Sequence, residues 1–242
     1  MYFDKINVKG KKVLIRVDFN VPLDSASKVT DDTRIRGALP TIQYVLQQGG
    51  AVILMSHLGR PQKKTLEDGS LDKERFSLKH IVICLSALLG QSVDFVDDTV
   101  GSKVEGRVAE MQMGDVLVLE NTRFYKEEKK GDEKFAEQLA KLSDIYVNDA
   151  FGTAHRAHAS TCTVAKYFAK GSKAFGFLIK KELESAERLT NNPRRPFTAI
   201  VGGAKVSDKI LLLDKLVDSV DNIIIGGGMA YTLIKAQGGE VG

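Results

Sequence analysis

The sequence predicts an α/β protein: a parallel-sheet, Rossmann-like N-terminal domain, a hinge helix, and then an incomplete second α/β domain. Three observations carry this. Short apolar runs recur between stretches of helical spacing, the pattern of βαβ units and a parallel sheet. The run Asn191-Asn192-Pro193-Arg194-Arg195-Pro196 holds two prolines and two asparagines, the best boundary in the chain. Beyond it the strand–helix alternation restarts, but only two βα units follow. A parallel sheet needs both faces covered and more strands than that. The expected division is 1–172, a connecting segment 173–196, and 197–242.

The first strand, Val13–Val17, runs into a polar tail, Asp18-Phe19-Asn20-Val21-Pro22. In extended chain, alternate residues share a face. Arg16, Asp18 and Asn20 then line one side, and Val17, Phe19 and Val21 the other. Pro22 has no N–H for a ladder and stops the strand. A helix follows Asp31-Asp32, with Ile35, Leu39, Ile42, Val45 and Leu46 in helical spacing and Gly49-Gly50 as its end. Pro40 falls inside it and should kink it. Further strands are expected at Ala51–Met55, Val93–Val96, Val116–Leu119 and Ile145–Asn148, and helices at Ser77–Leu89 and Glu133–Leu142. Gln62–Arg75 reads as an exposed insertion and Lys126–Lys134 as a solvated, charged turn. The hinge helix is Leu178–Thr190. After the boundary come strand Phe197–Val201, helix Val206–Val217, strand Asn222–Ile225 and helix Met229–Gln237.

Composition narrows the function. The 43% hydrophobic and 27% charged content is that of a soluble globular protein. The net charge of +4 is small and its basic residues are interspersed with acidic ones, so no nucleic-acid footprint is indicated. Cys84 and Cys162 lie far apart, make no metal spacing, and suit free thiols in a reducing compartment. Met1-Tyr2-Phe3-Asp4 lacks the basic start and apolar run of a signal peptide. No apolar run approaches the roughly 20 residues of a membrane span. A cytoplasmic protein with no membrane partner is expected.

Four of the first-domain strands end in polar residues. These are Asp18 and Asn20, then Ser56-His57-Leu58-Gly59-Arg60, then Glu120-Asn121-Thr122-Arg123, then Asn148-Asp149 leading to His155-Arg156-Ala157-His158. Ligands of open α/β sheets bind outside these carboxyl ends. If the ends converge, His57, Arg60, Arg123 and Arg156 face one cleft, and Arg34 can join them. Such a group repels itself without an anion, and Arg is the preferred planar partner of carboxylate and phosphate. Asp18 and Asn20 suit a hydroxyl. The implied ligand is a phosphorylated hydroxy acid. A lone strand-end Arg is ordinarily a solvated residue; repetition at several ends argues otherwise. A metal reading of His155 and His158 is weak, because nothing in their Gly/Ala-rich loop supplies a further ligand.

In the second domain, Gly202-Gly203-Ala204-Lys205 runs from strand to helix, and Lys209 lies four residues beyond Lys205, on one helix face. Glycines permit close backbone approach, and helix N-termini attract phosphate. Gly226-Gly227-Gly228 repeats the arrangement one unit later, which suits a nucleotide-phosphate floor. The spacing is not that of a P-loop.

Taken together, seven stretches resemble the phosphoglycerate kinase family: 16–22, 32–36, 56–61, 119–124, 147–158, 202–209 and 225–230. The resemblance implies reversible phosphoryl transfer between 1,3-bisphosphoglycerate and ADP, giving 3-phosphoglycerate and ATP with Mg2+, by a cytoplasmic enzyme that is usually monomeric. It implies Asp18 and Asn20 at the substrate's hydroxy-acid end, and His57, Arg60, Arg123 and Arg156 on its phosphate, flanked by Leu58 and Gly59. Arg34 and Lys205 are the implied catalytic pair. Gly202, Gly203, Ala204, Lys205, Lys209 and Gly226–Gly228 are the implied nucleotide contacts. The family's ribose glutamate, most of its adenine pocket and its metal-serving aspartate have no counterpart here, so no metal ligand is expected in this chain and turnover by it alone should be weak or absent. Arg16 is expected to pair structurally with Asp18. The competing expectation is a non-catalytic anion-binding module on the same scaffold.

Overall fold

Strands form where β-branched and aliphatic residues run together, and helices where apolar residues recur every three to four positions. The resulting order is β1 (Lys12–Arg16), α1 (Thr33–Gln47), β2 (Ala51–Met55), α2 (Lys73–Phe76), α3 (Lys79–Leu89), β3 (Asp94–Val96), α4 (Ser102–Glu110), β4 (Val116–Leu119), α5 (Lys126–Lys130), α6 (Glu133–Ala140), β5 (Ile145–Asn148), β6 (Lys173–Phe175), α7 (Phe177–Asn191), β7 (Thr198–Gly202), α8 (Ile210–Val217), β8 (Asn222–Gly226) and α9 (Gly228–Ala236). The computed structural model describes residues 3–191, 193–207 and 209–241. Asn192 of the proline–asparagine run and Asp208 of the glycine–lysine stretch therefore lie outside the described residues. The chain forms two compact units, Met1–Leu183 and Glu184–Gly242.

The first unit is built on a six-stranded sheet in the order β3-β4-β2-β1-β5-β6, with every pairing parallel. Its central strands are buried on both faces, as a parallel sheet requires. Val13, Ile15, Val52, Leu54, Val116, Val118, Ile145 and Val147 face a core closed by α1 and α3. Leu14, Ile53, Met55, Leu117, Leu119 and Tyr146 face a second core closed by α4, α6 and residues 159–168. From β1 the chain moves to β2 on one side, whereas β5 leads to β6 on the other. The β1/β5 seam is therefore the switch point, where a crevice opens at the carboxyl ends.

β1 ends at Arg16, one residue short of the expected strand. Val17, Phe19 and Val21 still join the first core, as the alternation predicts. Asp18 and Asn20 leave the strand, because the Phe19 amide is taken by the Ser56 hydroxyl (2.9 Å) instead of a ladder partner. α3 begins at Lys79, two residues later than expected. Glu120 at the end of β4 accepts from the Leu78 amide (2.9 Å) and the Ser77 hydroxyl (2.7 Å), and these bonds stand in for a first turn. α4 and β6 were not legible: α4 buries only Val104 and Val108, and β6 is a three-residue edge strand with no fully buried residue.

Lys126–Lys134 is not simply a solvated turn. Its first five residues form α5, in which Glu128 is wholly buried. Gln62–Arg75 is likewise more than an insertion: Gln62 donates to the Arg123 carbonyl and accepts from Lys129 Nζ at 2.9 Å.

In the second unit β7 and β8 pair in parallel, Gly202 opposite Gly226. α8 starts at Ile210 and not at Val206, because the Lys209 amide closes a turn on the Val206 carbonyl (2.9 Å). Lys205 and Lys209 therefore precede the helix and do not share a helix face.

Candidate functional site

Four strand ends of the first unit meet at the carboxyl edge of its sheet, around the β1/β5 seam. Past β1, the Asp18 carboxylate pairs with Arg34 of α1 at 3.0 Å. This is not the Arg16 pair that the sequence suggested. Asp18 also lies against the 3-10 turn after β5, where a Cβ on Gly152 would come 2.9 Å from Asp18 Oδ2. A side chain there would push that carboxylate aside. Asn20 accepts from the Gly59 amide through Oδ1 (2.7 Å), which commits its oxygen and orients its amide group as a donor.

Arg123, at the end of β4, is buried, with one guanidinium nitrogen on the Gly59 carbonyl (2.7 Å). Asn121 fixes the same loops by donating to the carbonyls of Leu58 (2.8 Å) and Phe76 (2.9 Å). Residues 58 and 59 thus serve as backbone, clamped between Asn20 and Arg123. Arg60 is exposed, and Arg156 is half-buried with Nε on the neighbouring His155 ring (3.2 Å).

The electrostatics show that these groups share one field. Burial first, then Arg156, Arg16 and Arg60, push Arg123 down to about 10. Burial first, then Arg16, Arg123 and Arg156, hold His57 far below the usual imidazole value, so it is neutral. Lys129 is lowered by burial and by Arg123, Lys63, Arg60 and Arg156. Among the described residues, none of Arg60, Arg123 and Arg156 forms an ion pair. A cavity of about 520 Å³ opens beside Asn20, Leu58 and Gly59; Asp24, Asp72 and Glu74 also line it, and none of Arg34, Arg60, Arg123 and Arg156 does.

Besides Asn121, further residues outside the predicted set are joined to these groups. Gly152 and Gln62 shape the loops. Glu128 and Ser160 lie behind the arginines, joined through Arg16 to His57. Position parity could have found the last group. Arg16 shares the Leu14 face of β1, which is the face covered by residues 159–168.

The second unit places its two glycine turns back to back. Gly227 has φ +65°, and a Cβ there would meet the Gly203 carbonyl at 3.2 Å; the Met229 amide donates to that same oxygen (3.0 Å). A Cβ on Gly228 would meet the Ala204 carbonyl at 3.1 Å. Gly202 faces Gly226 across the ladder. Lys205 is exposed, and the Lys209 stem lies over Gly203.

Comparison with known proteins agrees with this architecture. The family model described as phosphoglycerate kinase matches residues 3–242. The chain is 53% identical over 239 residues to the phosphoglycerate kinase of Anaeromyxobacter dehalogenans strain 2CP-C, covering 99% of this chain and 59% of that protein. It is 54% identical over 236 residues to a cytosolic phosphoglycerate kinase of Nicotiana tabacum, covering 98% of this chain and 56% of that protein. The chain thus spans under two thirds of the length of these relatives. Among solved structures, phosphoglycerate kinase from Coxiella burnetii superposes with a TM-score of 0.82 at 40% identity, over 100% of this chain and 58% of that one. The enzyme from Pyrococcus horikoshii OT3 gives 0.85 at 30% identity, over 100% and 59%. The chain belongs to the phosphoglycerate kinase family.

Proposed function

We propose that the first unit binds 3-phosphoglycerate or 1,3-bisphosphoglycerate, and that the chain serves reversible phosphoryl transfer between 1,3-bisphosphoglycerate and ADP. The observation that carries this reading is the group of Arg60, Arg123 and Arg156 without a carboxylate partner, beside a neutral His57. A phosphate and a carboxylate on one small molecule relieve that repulsion, and Arg forks match both. Asn20, held by Gly59, offers its amide donors to the ligand's hydroxyl, and Asp18 offers an acceptor. Arg34, fixed by Asp18, bears on the group being transferred.

The nucleophile in the ATP-consuming direction is a carboxylate, already ionised at neutral pH. No general base is needed, and catalysis rests on positioning and charge stabilisation. In the second unit the glycine turns give phosphates access to backbone amides, and Lys205 and Lys209 supply positive charge. Mg2+ neutralises phosphate charge when bound. Among the described residues no group of three or more His, Cys, Asp or Glu gathers to hold a metal, so in this reading the ion arrives on the nucleotide's phosphates. In this reading the chain acts as a monomer and in the cytoplasm; the compartment alone is supported by the name of the cytosolic tobacco relative. Among the described residues no helix is long and apolar enough to cross a membrane.

Isothermal titration calorimetry of the chain with 3-phosphoglycerate tests the substrate reading. One site is expected, with affinity lowered about tenfold or more in Arg60→Ala and in Arg123→Ala. No heat of binding, or affinity untouched by both substitutions, overturns it.

A further inference from the structure

Arg16 and Glu128 are wholly buried charges with no direct ion pair between them. Taking such groups out of water is costly unless their hydrogen bonds are met. Ser160, also fully buried, joins them: its hydroxyl donates to Glu128 Oε1 (2.6 Å) and accepts from Arg16 Nε (2.8 Å). The Ser160 amide donates to Glu128 Oε2 at 3.0 Å, so both carboxylate oxygens are occupied by one residue. His158 Nδ1 lies 3.9 Å from Glu128 Oε1, outside hydrogen-bond reach, and does not substitute for Ser160.

At its other end, Arg16 bonds the Val17 carbonyl through one terminal nitrogen and His57 Nδ1 through the other (3.1 Å). A guanidinium can only donate. His57 Nδ1 must therefore accept, and the proton of the neutral ring sits on Nε2. His57 Nε2 has no hydrogen-bond partner among the described residues, and it is not among the sealed, unpartnered atoms. It is open to a ligand.

We propose that Glu128 and Ser160 are positioning residues: acting through Arg16, they fix His57 as its Nε2–H tautomer, so that the ring offers a hydrogen-bond donor to a phosphate or carboxylate oxygen. The ligand part of this inference rests on the substrate reading above; the tautomer part does not. The arrangement accounts for a carboxylate buried in a helix of five residues otherwise made of exposed or half-exposed charge. Glu128 supplies the negative charge that lets Arg16 stay buried. Ser160 transmits the constraint by its geometry, and Arg16 assigns the proton.

The test is nitrogen-15 NMR of the ligand-free chain with labelled histidine, with His57 assigned by loss of its signals in His57→Gln. The expected wild-type spectrum shows an unprotonated Nδ1 and a protonated Nε2. In Ser160→Ala, Arg16 Nε loses its acceptor, and the two ring shifts move toward the average of exchanging tautomers. Glu128→Gln keeps an acceptor but drops the charge and moves them the same way by less. Ser160→Thr keeps the hydroxyl and restores the wild-type pattern. In Ser160→Ala, 3-phosphoglycerate affinity falls about tenfold, the scale of one charge-assisted hydrogen bond. A wild-type His57 protonated on Nδ1 overturns the proposal. So do unmoved His57 shifts in Ser160→Ala and Glu128→Gln, even if affinity falls, since the residues would then be merely structural. If Ser160→Ala does not fold, the Glu128→Gln spectrum decides. If wild type binds no 3-phosphoglycerate, the substrate reading fails while the ligand-free spectrum still reads the relay.

Discussion

His57 is nearly sealed beside three arginines, and its neutrality has a consequence for stability. Unfolded, its imidazole takes up a proton below about pH 6.5; folded, it does not. The unfolded state therefore binds more protons as pH falls, so the stabilising contribution is full above about pH 6.5 and is lost progressively below it. His158, lowered chiefly by burial, has the same sign. Between pH 6 and 5, unfolding free energy should fall by about 1.4 kcal/mol per pH unit for His57. Urea unfolding of wild type and His57→Asn checks this: the variant should lose about one proton's worth of slope, and an unchanged slope contradicts the assignment. The residue types at the site were visible in the sequence, since Arg60, Arg123, Arg156 and His57 each follow an aliphatic run. Their individual partners were not. Arg16 was expected beside Asp18, but the strand ends at Arg16, which stays on the Leu14 face with Ser160 and His57, while Asp18 leaves the strand and goes to Arg34.

At the scale of elements, α7 is anchored by a residue far away in sequence. Asp149, at the end of β5, accepts from the amides of Leu178 (2.9 Å) and Ile179 (3.2 Å) and from the Thr41 hydroxyl of α1 (2.6 Å). The Thr41 oxygen in turn accepts from the Phe177 amide at 3.0 Å. One buried carboxylate thus caps α7 and ties it to the helix that carries Arg34; burial pushes that carboxyl up from its ordinary value. Asp149→Ala leaves these donors unmet in a dry setting and should cost about 2–4 kcal/mol, read as a lowered urea midpoint; an unmoved midpoint would show that water replaces the carboxylate. Helical periodicity gave α1, α3, α6 and α7 to within two residues at nearly every end, because α1, α3 and α6 each bury a repeating apolar stripe and α7 carries the same spacing although only Ile179 of its described residues is buried. It could not give α5, whose one buried residue is a glutamate, or α8's true start, where a turn at Val206–Lys209 replaces the first helical turn. Local sequence does not record a cap supplied from another strand.

Over the whole first unit, the sheet order decides where chemistry can occur. The strands were legible as aliphatic runs, but their order was not, since β4 inserts between β3 and β2 and β5 returns to pair with β1. That order creates the switch point at the β1/β5 seam, with β2 and β4 beside it. The account therefore stands on the convergence of four strand ends on one anion. Amide chemical-shift mapping during titration with 3-phosphoglycerate tests it most directly. The account expects saturable shifts confined to residues 18–20, 34, 57–60, 121–123 and 152–160, with the glycine turns at 202–204 and 226–228 unmoved. Shifts centred on the acidic cavity by Asp24 and Glu74, or confined to the glycine turns, would contradict it.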